Sequence, residues 1–257
     1  MTIPTGPTPT IPDATETCPD FVDSTITFMG LGGIQIAAGE KPPGPTAPML
    51  FYWHGTGSTS AEFGLVTPQL RDGIVQEGGV IVSFQGTTGG NIWSGTAIFG
   101  PGDLDLTDQL LACAVKNHNV DPRRVFTTGC SAGGLFADAM AAARSNYIAA
   151  AASNSGGWVT NVAFQNDYTP PLMTIHGAPG RDVVIVDFSV ASATADKAFK
   201  DRGAFVINCN TGAGHCGGGG LAPNIWDFFK AHPYGVEPEP WESGLPAGFP
   251  DICQIYQ

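Results

Sequence analysis

Short apolar runs alternate along the chain with longer stretches in which apolar residues recur every three or four positions. The short runs, bounded by Gly, Pro and polar residues, are typical of buried strands, whereas the longer period predicts amphipathic helices. The predicted strands are residues 24–29, 33–37, 49–53, 80–84, 124–129, 148–153, 172–176 and 204–208. The predicted helices are residues 104–119, 132–145, 184–201 and 222–230, with a shorter one near 61–71.

Strands that alternate with helices are typical of a parallel sheet with crossover connections. We therefore expect an α/β fold, with a mostly parallel central sheet of about eight strands and helices on both faces. The first two strands lie close enough to form a hairpin around a short turn. No internal repeat is apparent, and 257 residues are an ordinary length for one such domain.

The two ends of the chain differ in composition from the part between them. Residues 1–17 hold four prolines and six threonines, a composition that favours extended, solvated chain. We expect a linker or disordered tail there, or a frayed terminus without a role. Residues 232–250 are also rich in proline but include Trp241 and Phe249. We expect this second tail to lie against the body, within a single domain over residues 18–257.

The charge balance limits the classes of partner. The formal net charge is -12, with only 11 Lys and Arg residues. Nucleic acids and anionic membranes are bound mainly through Lys and Arg, so neither is an expected partner. A neutral substrate fits this charge better than an anionic one, although acidity also serves simply to keep a protein in solution.

The cysteines indicate an oxidising compartment. There are 6 of them, without a CxxC pair and without a Cys/His cluster at zinc-ligand spacing. Disulfides are therefore expected rather than a metal site, and the expected location is extracellular or periplasmic. The first 17 residues lack the basic and apolar regions of a signal peptide, so we expect any signal to have been removed. No apolar run reaches the roughly 18 residues of a membrane helix, and we expect a monomer without membrane insertion.

One pentapeptide has the form of a nucleophile elbow: Gly129-Cys130-Ser131-Ala132-Gly133. A serine hydroxyl is a weak nucleophile until a base takes its proton, and a sharp turn from strand to helix exposes it above the end of a sheet. Small neighbours allow that strand and helix to approach each other. Because the motif lies between a predicted strand and a predicted helix, Ser131 is the candidate nucleophile, and the expected α/β fold is the α/β-hydrolase fold.

Two later loops supply a candidate acid and a candidate base. In α/β-hydrolases the acid and the histidine follow the serine in that order, each after a later strand. Asp182 follows the seventh predicted strand and His215 follows the eighth. Asp187 is the competing acid, but it falls within a predicted helix. Asp182 and His215 are therefore the expected partners of Ser131.

Three other histidines are assigned no catalytic part. His232 lies at a predicted helix end before a proline, where we expect a surface role. His54 and His176 each precede a glycine at the end of a predicted strand. We expect these two side chains to support their loops.

Acyl transfer also needs N–H donors for the developing oxyanion. One is normally the backbone N–H after the nucleophile, here that of Ala132. The second is expected from the loop that begins at His54, where Thr56 is the first choice and Gly57 the next. A tight turn without a catalytic role is the alternative for this loop.

The candidate nucleophile and the candidate base each have a cysteine as their immediate neighbour. Cys130 precedes Ser131, and Cys216 follows His215. If the serine and the histidine meet, the two cysteines must also meet, so we expect a disulfide that holds the base loop against the elbow. Two free buried thiols are the alternative. Three pairings remain open for the other cysteines, which are Cys18, Cys113, Cys209 and Cys253.

With these residues placed, the chain resembles a group of extracellular esterases that includes polyhydroxybutyrate depolymerases, feruloyl esterases and acetylxylan esterases. The resemblance runs from about residue 49 to residue 229. Its markers are His54-Gly55, residues 120–126 leading into the elbow, His176-Gly177 before Asp182, and Gly214-His215-Cys216. The cysteine neighbours are also similar to those of tannases and fungal feruloyl esterases, in which a disulfide joins the residues beside the nucleophile and the base.

The resemblance has one departure that concerns the substrate. Unlike tannases, the chain has no large lid insertion between Ser131 and Asp182, which implies an open site suited to a polymer or a bulky ester. Trp93 and Trp158 are the candidate substrate-binding residues, because their rings lie in predicted loops and suit a sugar, a phenolic ring or a polyester segment. Packing in the core or at the rim is the alternative for both.

Together these features imply a secreted serine ester hydrolase that acts through an acyl-enzyme and needs no metal or organic cofactor. Ser131 is the expected nucleophile, His215 the proton carrier and Asp182 the group that orients it, with the oxyanion on the N–H groups of Ala132 and Thr56. The expected substrate is a neutral polyester, feruloyl ester or acetyl ester. A peptidase on the same fold and a carbohydrate- or polyester-binding module without chemistry are the alternatives.

Overall fold

The computed structural model describes residues 5–66, 68–86 and 98–257. The strands are β1 (Ser24–Phe28), β2 (Leu31–Ala38), β3 (Ala47–Trp53), β4 (Val80–Ser83), β5 (Val120–Cys130), β6 (Ala150–Asn154), β7 (Leu172–His176), β8 (Val206–Asn210) and β9 (Cys253–Ile255). The helices are α1 (Phe63–Val66), α2 (Pro68–Gln76), α3 (Pro101–His118), α4 (Ala132–Ala143), α5 (Phe188–Lys200) and α6 (Ala222–Ala231). The strands form one sheet in the order β1-β2-β4-β3-β5-β6-β7-β8-β9.

The centre of the sheet is parallel and its two edges are antiparallel. Strands β3 to β8 all run in one direction. The hairpin of β1 and β2 lies at one edge, and β9 pairs antiparallel with β8 at the other. The mostly parallel sheet and the hairpin confirm the sequence prediction. Strand β9 was not predicted, because a three-residue strand carries almost no periodic signal.

Alternate residues of a central strand show how the two faces are covered. Strand β3 is buried along its whole length. Met49 and Phe51 point into a cluster built with α3, α4 and α5. Leu50 and Tyr52 point into a second cluster built with α2 and α6. Helices therefore cover both faces of the sheet, as predicted, and the strand reads as a continuous apolar run because neither face meets water.

The amino-terminal segment differs from the expected linker or disordered tail. The described part of it, residues 5–17, lies along the body of the protein. The Gln109 side chain bonds to the backbone of Asp13 and Thr15, and Ile11 packs against the core. Its prolines indicated an extended backbone but not the partners that this backbone would find.

The carboxyl-terminal tail lies against the body, as expected from its aromatic residues. Trp241 and Phe249 pack against the cluster beside α6. His232 lies beneath this tail and is fully buried, so the expected surface role was wrong. Its ring nitrogens contact the carbonyl of Phe228 at 2.7 Å and the carboxylate of Glu239 at 2.9 Å. Packing of the tail over the end of α6 is what removes this histidine from solvent.

All six cysteines form disulfides, which pair Cys18 with Cys113, Cys130 with Cys216, and Cys209 with Cys253. The first bond fixes the amino-terminal segment to α3, and the last fixes β9 to β8. Three disulfides are typical of proteins from oxidising compartments. None of the helices in the described ranges has both the length and the apolar character that crossing a bilayer requires.

Candidate active site

Ser131 occupies a sharp turn between a strand and a helix. Strand β5 ends at Cys130 and helix α4 begins at Ala132. The backbone of Ser131 has φ 59° and ψ -123°, a combination that non-glycine residues rarely adopt. Strained conformations of this kind persist where the surrounding structure enforces them, commonly at functional sites. The turn thus has the geometry expected of a nucleophile elbow.

Two glycines of the motif are required by the close approach of β5, α4 and β3. A Cβ on Gly129 would lie 2.5 Å from the carbonyl oxygen of Trp53. A Cβ on Gly133 would overlap with the same carbonyl. Any side chain at these two positions would therefore push the helix away from the sheet, and glycine avoids this.

His215 and Asp182 form a hydrogen-bonded pair at the carboxyl edge of the sheet. The Nδ1 atom of His215 lies 2.8 Å from Oδ1 of Asp182. The side chain of His215 is 28% exposed, whereas that of Asp182 is fully buried. A neutral imidazole that donates Nδ1–H to this carboxylate leaves Nε2 free to accept a proton. The pair therefore has the arrangement of a base oriented by an acid.

The other oxygen of Asp182 is also satisfied. Its Oδ2 atom accepts a hydrogen bond of 2.8 Å from the Ser155 hydroxyl and one of 2.9 Å from the Gly177 N–H. Burial of a carboxylate is costly unless it is hydrogen-bonded, so these donors make its position tenable. The whole carboxylate is held by the residues that directly follow β6 and β7 and by the loop of His215.

Asp187, the competing acid, has a different task. Helix α5 begins at Phe188, four residues later than the predicted start, and Asp187 is its N-cap. Its carboxylate accepts hydrogen bonds from the hydroxyl and N–H groups of Ser189 and from the N–H of Gly180. The largest cause of the lowered pKa of Asp187 is the hydrogen bond from the Ser189 hydroxyl. The sequence prediction placed this helix too early because the aliphatic run before Asp187 has helical character.

A disulfide and an asparagine join the elbow to the loop of His215. The bond between Cys130 and Cys216 brings their Cα atoms to 6.0 Å. Asn154 accepts the N–H of Ser131 at 3.0 Å through its carbonyl, and its side chain donates to the carbonyl of Cys216 at 3.2 Å. Ser131 and His215 are thus each next to a residue of the same covalent link.

The loop after β3 lies beside the elbow. A Cβ on Gly55 would lie 3.5 Å from the Cβ of Ser131, and Thr56 is exposed at the surface next to it. The N–H of Gly55 donates to the carboxylate of Glu62, which also accepts the hydroxyl of Tyr52 at 2.8 Å. These bonds fix the loop from which the second oxyanion donor was expected.

The backbone N–H groups of Ala132 and Thr56 find no acceptor among the described residues. For Ala132 this follows from its place in the first turn of α4, where the helix offers no partner. An N–H at a helix start also carries partial positive charge. The N–H of Ala132, directly after Ser131, is therefore available to a ligand that approaches this serine.

Two of the remaining sequence predictions concern loop histidines. His54 and His176 are buried, and the Nδ1 atom of each lies close to the carbonyl oxygen of the following glycine, at 2.8 Å and 2.7 Å. The Nε2 atom of His54 also lies 3.2 Å from the carbonyl of Gln85. Both rings support their loops, as expected.

The two candidate substrate-binding tryptophans have different outcomes. Trp93 lies outside the described residues. Trp158 is only 4% exposed, and its ring packs against Phe164 and Phe199 with centroid distances of 5.8 Å and 5.4 Å. The prediction that Trp158 contacts substrate was wrong; the alternative of core packing describes it. The sequence does not distinguish a ring that is buried in the core from a ring that binds a ligand, because both occur as aromatic residues in predicted loops.

Exposed aliphatic side chains, which the sequence analysis did not single out, follow the candidate acid along the chain. Phe188 packs on the His215 ring with a centroid distance of 4.7 Å. Between Asp182 and α5, Val184 is 62% exposed and Ile185 is 97% exposed. Val190, on the first turn of α5, is also 62% exposed. These three exposed residues, Val184, Ile185 and Val190, are called the aliphatic rim.

Ser155 and Glu62 were also missed as parts of the site. Ser155 follows β6 at the same sheet edge as Ser131, Asp182 and His215, and a small polar residue before two glycines at that edge was the available signal. Glu62 lies after a loop, and its contact with Gly55 has no signature in spacing.

No family model matches this chain, and no curated protein matches it. Among solved structures it is similar to native pOPH, with 16% identity, a TM-score of 0.70 and coverage of 94% of this chain and 97% of that one. It is also similar to a carboxylesterase of Bacillus cereus, with 17% identity, a TM-score of 0.56 and coverage of 77% and 93%. A third is FphF of Staphylococcus aureus, a fluorophosphonate-binding serine hydrolase, with 10% identity, a TM-score of 0.57 and coverage of 81% and 96%. At these identities the likeness shows the fold, which is that of the α/β-hydrolases.

Proposed function

We propose that this protein is a secreted serine ester hydrolase that acts through an acyl-enzyme on uncharged carboxylic esters of a polyester, feruloyl or acetyl type. The observation that carries the proposal is the covalent and hydrogen-bonded connection of three groups. The disulfide of Cys130 and Cys216 ties the elbow of Ser131 to the loop of His215, whose imidazole lies 2.8 Å from the buried Asp182. Unrelated structural needs would not require all of these features together.

The proposed reaction uses each group once in each half. Ser131 Oγ attacks the ester carbonyl carbon while His215 Nε2 takes the hydroxyl proton, and the same proton then goes to the alcohol that leaves. Water, deprotonated by His215, then attacks the acyl carbon, the bond to Ser131 Oγ breaks, and His215 returns the proton to that oxygen as the acid leaves. Asp182 holds the imidazole in one tautomer and stabilises its charged form. The N–H groups of Ala132 and Thr56 bind the oxyanion in both halves.

The aliphatic rim supports an uncharged, apolar substrate. Val184, Ile185 and Val190 expose aliphatic side chains in the segment that follows the candidate acid, and we propose that they form one apolar patch, a feature that commonly marks binding sites. A net charge of -12 disfavours anionic substrates. A polyester segment or an aromatic acyl group is therefore favoured over a small charged ester.

Secretion is proposed from the three disulfides, because such bonds persist mainly in oxidising compartments. The similarity to an esterase of Pyrobaculum calidifontis and to the carboxylesterase of Bacillus cereus supports ester hydrolysis in general terms.

The reaction class is tested by comparing an ester with its matched amide. We expect hydrolysis of a nitrophenyl butyrate and no measurable cleavage of the corresponding anilide. Activity on both would favour the peptidase. Absence of activity on either, with an unchanged fold, would favour the binding module. The Ser131→Ala variant is the control, and we expect it to lose ester hydrolysis without a change in its thermal unfolding midpoint.

The substrate class is tested with a panel of acetylated xylan, feruloylated sugar, polyhydroxybutyrate and short nitrophenyl esters. The double variant Val184→Ser, Ile185→Ser tests the rim. We expect it to lose activity on the apolar polyester while activity on the shortest ester stays within about twofold, because the change lowers apolar burial but leaves the reacting groups in place. Equal loss on all substrates would contradict a role for the rim in substrate choice.

A further inference from the structure

The hydroxyl of Ser155 connects the two sides of the candidate triad. Ser155 lies directly after β6 and is fully buried. Its Oγ atom donates to Oδ2 of Asp182 at 2.8 Å and accepts the N–H of Cys216 at 2.8 Å. Its own N–H donates to the carbonyl of Ile175 on β7 at 2.7 Å. One side chain therefore touches the candidate acid and the residue next to the candidate base.

The direction of these bonds is fixed by chemistry. The N–H of Cys216 can only donate, so Ser155 Oγ must accept from it and use its single proton for Asp182. Asp182 in turn faces His215, which is covalently next to Cys216. The result is a closed circuit of contacts. Ser155 Oγ bonds to Asp182, Asp182 bonds to His215, and the N–H of Cys216, the residue after His215, bonds back to Ser155 Oγ.

The backbone at this position supports a specific role. Ser155 has φ 48°, in the left-handed region that non-glycine residues occupy rarely. A glycine would adopt this conformation more readily, and Gly156 and Gly157 follow immediately. Although glycine would suit this backbone conformation better, the position holds a serine, which supplies a hydroxyl.

We propose that Ser155 is a positioning residue that sets the orientation of the Asp182–His215 pair. This inference rests on the proposed function. By donating to one carboxylate oxygen and anchoring the N–H after the histidine, Ser155 restricts both members of the pair to one geometry. Hydrogen bonds in such a circuit also polarise one another. Loss of the hydroxyl is expected to slow the chemical steps while substrate binding is kept.

A matched control lies two residues earlier. Ser153 is also fully buried, and its hydroxyl donates to the buried carboxylate of Asp138 at 2.7 Å. The Ser153→Ala variant removes a bond of the same kind from the same strand without touching the triad. It therefore reports the effect of a lost buried serine–carboxylate bond on stability alone.

The test is a double-mutant cycle with steady-state kinetics on a soluble nitrophenyl ester. We expect Ser155→Gly to lower kcat by about 10- to 100-fold, because small displacements of reacting groups have effects of this size. KM should stay within about twofold. In an Asp182→Asn background the same change should lower kcat by less than about threefold, because residues that act through each other are not additive. The Ser153→Ala variant should keep kcat within about twofold of the parent.

Thermal unfolding of each variant completes the test. Ser155→Gly and Ser153→Ala should unfold at similar temperatures, and Ser155→Ala should repeat the kinetic effect of Ser155→Gly. The proposal is overturned if Ser155→Gly keeps parental kcat, if its effect is equally large in the Asp182→Asn background, or if neither Ser155 variant folds. A failure of this kind leaves the losses in Ser131→Ala and Asp182→Asn intact, whereas a failure of the proposed function removes those losses as well.

Discussion

Two fully buried aspartates, Asp182 and Asp138, accept hydrogen bonds from the hydroxyls of Ser155, directly after β6, and of Ser153, on β6. They differ in their remaining partners. Asp182 has both oxygens bonded, one of them to His215. Asp138 bonds only through Oδ2, and its Oδ1 has no partner among the described residues.

The comparison shows that burial and a serine donor do not by themselves make a functional acid. Around Asp138 burial dominates and raises its pKa to about 8, so this group is a neutral acid that fixes α4 to β6. Asp182 lies at the carboxyl edge of the sheet, where the loop of His215 arrives. A histidine that becomes charged during a reaction needs an ionised partner, and only Asp182 is placed to be one.

The largest expected effect separates the two carboxylates directly. Asp182→Asn should lower kcat by about 10⁴-fold, because the amide favours the wrong tautomer of the histidine. Asp138→Asn should keep kcat within about twofold. Equal losses of kcat in the two variants would contradict a difference in role between Asp182 and Asp138. The measurement is the initial rate on a nitrophenyl ester at saturating substrate.

A comparison of two disulfides separates an effect on the stability of the whole chain from an effect on the geometry of the site. Removing the bond of Cys130 and Cys216 or that of Cys18 and Cys113 should cost a similar ~4–5 kcal/mol, because their loops of 86 and 95 residues are alike in length. Only the first double Ala variant should also lower kcat, by roughly tenfold or more. Unfolding in denaturant and kinetics at a temperature where both variants are folded provide the check. Equal kcat in both would contradict a role of the bond in the site.

The smallest effect concerns stability and pH. The pKa of Asp138 is about 8 in the folded protein, against 3.8 for the free group. As the pH rises from about 4 to about 8, the unfolded chain loses this proton while the folded protein keeps it, so the stabilising contribution declines and is lost above the folded pKa. Asp138→Asn has no such decline.

We therefore expect the unfolding midpoint of Asp138→Asn, relative to the parent, to rise between pH 5 and pH 8.5. For a chain of this size the change should be at least about 3 °C. Differential scanning calorimetry at both pH values measures it. A difference that does not change with pH would mean that Asp138 is ionised when buried.

Much of the fold and of the candidate site followed from local patterns. The parallel sheet was visible because its strands are buried on both faces, as β3 is, and read as apolar runs. The elbow of Ser131 is a contiguous motif with a steric reason for each glycine. The disulfide of Cys130 and Cys216 was expected from covalent adjacency to Ser131 and His215.

What the sequence did not reveal depends on contacts between distant residues. The bond of Ser155 to Asp182 spans 27 positions, and Trp158 packs against Phe199 on a helix that follows much later. The start of α5 was misplaced because Val184 and Ile185 are aliphatic yet exposed, against the usual relation between hydrophobicity and burial. Such features depend on how elements meet, which neither period nor spacing encodes.

The central claim, that Ser131 is the nucleophile activated by His215 and Asp182, is tested most directly by labelling with an organophosphonate followed by peptide mass mapping. We expect a single adduct on Ser131, which forms far more slowly in the Asp182→Asn variant and at the parental rate in the Asp138→Asn variant. An adduct on another residue, or ester hydrolysis that continues in a protein fully labelled at Ser131, would contradict it.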